Sequence, residues 1–134
     1  MLMNLLEIIF FGWYQILDKT VYSLGASREG IGPKEHSFVI TFLFHGINLW
    51  TILRYLMVTY YNVSASLPLS LSLLVIVFVV GYFFFFNKKA SRIITSDVKN
   101  AKAILFVIIA LAYVIISVYL MFQVGNYVRH QLGN

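Results

Sequence analysis

Three polar residues sit where chemistry is expensive. His45, Asn48 and Arg54 lie inside FVITFLFHGINLWTILRYLMVTYY, Phe38 to Tyr61, a stretch long and apolar enough to cross a bilayer. On a helix at about 100° per residue, Thr41, His45, Asn48, Thr51, Tyr55 and Thr59 fall within one face roughly 120° wide. Asn62 extends that face at its outer end. Hydrocarbon offers no hydrogen bonds, so the stripe must face protein or water. Against another helix it acts as interhelical glue, at roughly 0.6 kcal/mol per bond. Around an oligomer axis, copies of His45 and Asn48 would instead form rings able to gate or filter ions.

Other chemistry finds less support in the sequence. A metal centre is not expected, because no second His or carboxylate stands one helical turn from His45. No catalytic residues are expected either: every carboxylate is peripheral to the spans, and a general base needs a nucleophile or an orienting acid. Cysteine is absent, which removes disulfides, thiolate sites and Cys nucleophiles. The expectation is therefore a protein that is not an enzyme and has no cofactor. Arg54 lies more than roughly 100° from the centre of the stripe and about 7 Å outward of the middle of its span. It either snorkels to the outer interface or pairs with buried carbonyls or a C-terminus.

The elements that carry these residues follow from composition. Of 134 residues, 60% are hydrophobic and 11% charged, with mean hydropathy +0.85. A soluble domain is about 25% charged, so the class indicated is all-α integral membrane. The chain reads as a single membrane domain, 1–134. Residues 1–20 form an amphipathic interfacial helix with Trp13 and Tyr14 as headgroup anchors, its polar side marked by Asn4, Glu7, Gln15 and Asp18. The alternative is a short first span, giving four transmembrane helices. A Gly- and Pro-punctuated loop follows, with Ser37 as a candidate N-cap. Three transmembrane helices are expected at 38–61, 67–86 and 103–124. Ala103, Ala110 and Ser117 recur every seventh residue in the last span, a small-residue seam for close helix packing.

Charge sets the orientation. Net charge is +5. The connection 87–102 holds Lys88, Lys89, Arg92, Lys99 and Lys102 against the single Asp97, whereas the turn 62–66 holds no charge. The positive-inside rule makes the basic connection cytoplasmic. The loop with Lys19, Arg28 and Lys34 is then also inside, and so is the N-terminus. The basic connection is suited to anionic lipid or to a cytosolic protein partner. Nucleic acid is not an expected partner, because no aromatic-basic platform or groove-reading motif accompanies the charge.

These features together resemble a family. An aromatic N-terminal helix, a mid-span Asn48 in GINLWTIL, Lys88, Lys89, Ile93 and Ile94 in FNKKASRIITS, and a charge-free last span are similar to a group of small multi-span membrane proteins common in Bacteroidota. This chain departs in having fewer acids in the connection. The resemblance covers nearly the whole chain and implies a multi-pass protein of the bacterial inner membrane. The group has no settled activity, but some members lie near anti-phage or mobile-element genes. The two functional expectations are a homo-oligomeric, ion-conducting or permeabilising defence effector and a non-catalytic anchor or accessory subunit.

Because the chain lacks cysteine, topology can be read with single introduced thiols. A cysteine at Ser64 is expected to react with a membrane-impermeant maleimide in intact cells, and one at Ser96 only after permeabilisation. The reverse labelling would invert the orientation.

Overall fold

The computed structural model describes residues 3–22, 24 and 31–133; Arg28 of the basic loop lies outside them. Four helices follow in order: α1 (Leu5–Lys19), α2 (Pro33–Tyr61), α3 (Leu67–Ile94) and α4 (Asn100–Leu132). The last three are long and apolar enough to cross a membrane, and α1 is shorter. Their length and composition point to a multi-pass membrane protein. At 1.5 Å per residue, α2 and α4 run to roughly 43 and 50 Å, beyond the ~30 Å hydrocarbon core, so their ends stand in the headgroup layers.

Local chemistry sets the helix ends. Asn4 caps α1 reciprocally: its side chain accepts the Glu7 N–H at 2.9 Å, and Glu7 accepts the Asn4 N–H at 3.0 Å. Helix α2 begins a turn earlier than expected. Pro33 occupies its first turn and Glu35 accepts the Gly32 N–H at 2.9 Å. Ser37 is thus no cap; it is fully buried and its hydroxyl donates to the Pro33 carbonyl. Asn62 ends α2 in the left-handed region, at φ 53°, a conformation Asn tolerates better than most residues.

The expected boundary at Phe86 and the long connection 87–102 need correction. Helix α3 continues through a nine-residue π-helical segment, Tyr82–Ala90, to Ile94, and only 95–99 link it to α4. Widening to i→i+5 bonding brings residues five apart onto one face. Phe85 and Ala90 accordingly share the buried side with Gly81 and Ile93. A Cβ at Gly81 would lie 2.4 Å from the Phe42 ring, so only glycine lets α3 close on α2 there.

The core sits at one end, where all four helices meet. Phe10 and Phe11 from α1, Phe38 and Phe42 from α2, Phe85, Ala90 and Ile93 from α3, and Ala103 from α4 form one buried cluster. Edge-to-face contacts join Phe10 to Phe85 at 5.1 Å and Phe11 to Phe106 at 5.9 Å. Helix α1 lies across α4 rather than along it. Met3 and Ile8 share a recess with Leu105 and Phe106, while Ile16 and Lys19 share another with Ala103 and Val107. A helix whose opposite ends, roughly 20 Å apart, meet the same two turns must cross them steeply. At the crossing, a Cβ at Gly12 would come 2.4 Å from the Phe106 carbonyl oxygen and 2.8 Å from Ala110 Cβ.

Gly12→Val is expected to destabilise the detergent-solubilised protein by ~1–3 kcal/mol through overpacking at that crossing. Leu5→Ala, at a site 58% exposed, should change little. Thermal unfolding compares the two; equal, small effects would mean that α1 does not pack on α4.

Candidate functional site

The stripe on α2 faces α4. Asn48 Nδ2 donates to the Tyr113 hydroxyl at 2.8 Å and to Ser117 Oγ at 2.9 Å. Ser117 in turn donates to the Tyr113 carbonyl at 2.7 Å, and the Tyr113 hydroxyl lies 2.6 Å from His45 Nδ1. The Tyr113 hydroxyl thus accepts from Asn48 and also hydrogen-bonds His45 Nδ1, with the donor set by the histidine tautomer. The result is a linked chain, Asn48 to Tyr113 to His45. Further out, the Tyr55 and Tyr127 rings lie 5.3 Å apart, and Thr59 Oγ1 is 3.1 Å from the Tyr127 hydroxyl.

Two members behave otherwise. Thr41 and Thr51 are buried and donate back to the carbonyls of Ser37 and Ile47 on their own helix. This satisfies each hydroxyl without a partner helix. All six stripe residues are therefore accounted for, four toward α4 and two within α2.

The small-residue seam is buried but serves two neighbours. Ala110 meets α1 at Gly12, whereas Ser117 meets α2 at Asn48. Arg54 lies on another side of α2, half-buried, with its guanidinium carbon 5.1 Å from the Trp50 ring centroid. Trp50 donates its indole N–H to Ser70 of α3, and Arg54 Nη1 approaches Gly125 of α4. Arg54 thus stacks on Trp50 and reaches toward α4 at the end of the bundle that holds the α2–α3 turn.

The basic residues divide by role. Lys89 Nζ lies 3.6 Å from Glu7 Oε1, and Glu7 is buried. Of the polar side of α1, Glu7 is therefore turned inward toward α3, while Asn4 is exposed and Gln15 and Asp18 are half-buried. A carboxylate there needs the Asn4 N–H and the Lys89 ammonium to compensate its burial. Lys88 lies over the Phe84 ring, while Lys34 lies over Phe86 and donates to Ser91 Oγ at 2.8 Å. Arg92, Lys99 and Lys102 are exposed. Trp13 and Tyr14 are half-buried, and the Trp13 indole nitrogen is enclosed with no acceptor among the described residues.

Sequence reasoning missed Tyr113, Tyr127 and the pairing of Glu7 with Lys89. The tyrosines had a signal: with Ser117 they fall within roughly 80° of one face of the last span, a second stripe matching the first. Glu7 had none, since an acid in a first helical turn is equally at home in water. Among the described residues, no three His, Cys, Asp or Glu side chains come together as metal ligands would.

Tyr113→Phe should destabilise the protein by ~1–3 kcal/mol, because both Asn48 and His45 lose a partner away from water. Thr59→Val, at an exposed position, should cost under about 0.5 kcal/mol. Thermal unfolding of the two variants checks this order, and equal losses would contradict the Asn48–Tyr113–His45 chain. Neither a family model, nor a curated protein sequence, nor a solved structure matches this chain, so its geometry alone carries the functional reading.

Proposed function

We propose that this chain is a non-catalytic membrane anchor or accessory subunit, whose basic α3–α4 end recruits a cytosolic partner. The observation that carries this reading is the direction of the α2 stripe. His45, Asn48, Tyr55 and Thr59 all meet α4 of the same chain. A homo-oligomeric pore needs such groups turned toward a shared axis, where water or ions replace their partners. Here that would require breaking the α2–α4 bonds first. Each is worth only ~1 kcal/mol, but they act in series along one interface.

The basic end supports recruitment. With Lys89 held by Glu7, the side chains of Lys88, Arg92, Lys99 and Lys102 remain near the α3–α4 turn, and Lys34 joins them through Ser91. Concentrated positive charge beside a membrane favours an acidic partner surface and anionic lipid, and both contacts weaken with salt.

Ion flux from the purified protein in liposomes separates the readings. Flux no greater than that of protein-free vesicles is expected, together with a detergent particle whose protein mass is that of one chain or a small, closed oligomer. A conductance that His45→Ala or Asn48→Leu alters would overturn the anchor reading in favour of a pore, consistent with a defence effector.

A further inference from the structure

The α3–α4 turn and the start of α1 enclose a recess of about 350 Å³. Met3, Ile8, Leu105 and Phe106 supply apolar wall, and Asp97 and Lys102 supply opposite charges. Asp97 belongs to 95–99, and Lys102 to the first turn of α4, so the recess lies at the end of two helices long and apolar enough to span. Among the described residues, Asp97 and Lys102 form no ion pair with each other, whereas Glu7 is paired with Lys89. The acids Glu7 and Glu35 are engaged in capping α1 and α2, whereas Asp97 faces this recess.

We propose that this recess binds a zwitterionic aminophospholipid of the phosphatidylethanolamine type. Its two charges lie beside apolar wall, which is the arrangement of a phospholipid at the interface. Lys102 would take the phosphate and Asp97 the primary ammonium, while an acyl chain follows Leu105 and Phe106 along α4. An anionic lipid without an amine satisfies Lys102 but sets its headgroup against Asp97. A quaternary choline headgroup carries the positive charge but has no N–H to donate to Asp97. The site is independent of whether the protein anchors a partner or conducts ions. It also differs from a general basic patch, because an acid confers its selectivity.

The full-length protein would be equilibrated in micelles containing phosphatidylethanolamine, phosphatidylcholine and phosphatidylglycerol of identical acyl chains. Retained lipid is then counted by native mass spectrometry. Retention of phosphatidylethanolamine about fivefold above phosphatidylcholine is expected, the factor that a single charge-assisted contact supplies. Asp97→Asn should abolish that preference while leaving the unfolding temperature unchanged. Lys102→Gln should lower retention of phosphatidylethanolamine and phosphatidylglycerol alike. Leu105→Trp, which narrows the recess from a lipid-exposed position, should lower retention of all three. Equal retention of ethanolamine and choline lipids would overturn the proposal. So would a phosphatidylglycerol preference indifferent to Asp97→Asn, or no retained lipid at all.

Discussion

A single amide nitrogen sets the register of the membrane-embedded half. Asn48 donates to Tyr113 and Ser117 together, and both acceptors are four residues apart on α4. Away from water an unsatisfied amide costs more than any one bond returns, so the alternative registers of α2 on α4 are excluded by what they would leave unpaired. Tyr113 passes the constraint to His45, and the Tyr55–Tyr127 contact continues it toward the α2–α3 turn. The rest of the bundle is arranged around this seam, with α3 closing on another side of α2 and α1 crossing where the seam ends.

The two ends of the molecule are held by different physics. At the α1 end, eight apolar residues from four helices form a dry cluster dominated by phenylalanine. Dispersion and edge-to-face geometry hold it, and its fit depends on Gly12 and Gly81 leaving room for a neighbour. At the end with the α2–α3 turn, hydrogen bonds and the Arg54–Trp50 stack take over, because bilayer lipid matches an aliphatic surface as well as protein does. Large apolar side chains on α3 and α4, such as Val75, Ile108 and Ile115, are exposed on the chain, as spans placed against lipid require.

Helix α1 couples the two environments. Its buried Glu7 reaches Lys89, within the π-helical segment that also turns Phe85 toward Phe10. The π-segment therefore does two things at once: it seats an aromatic in the core and delivers an ammonium to a carboxylate that would otherwise be buried unpaired. Such segments are uncommon because their wider turn packs less well along the axis. Here the cross-bundle contacts of α1 compensate.

Much was legible in the residues themselves. Three apolar stretches of spanning length, a turn without charge between the first two, an amphipathic start and a polar face along one span all follow from side-chain chemistry repeated at helical period, because the bilayer punishes any other arrangement. What lay beyond reach was direction. Periodicity shows that Thr41 to Thr59 share a face but not which helix that face meets, since packing, pore and ligand path require the same pattern. The length of α3 was hidden because Lys88, Lys89 and Arg92 look like a loop until Glu7 and the headgroup layer receive their charges. The burial of Glu7 on the polar side of α1 was not legible because an acid in a first helical turn is equally plausible in solvent or against a half-exposed lysine. Only the tertiary structure, by placing Tyr113 opposite Asn48 and Lys89 opposite Glu7, decided which partner each polar group has, because those partners lie tens of residues away and no local pattern encodes a meeting.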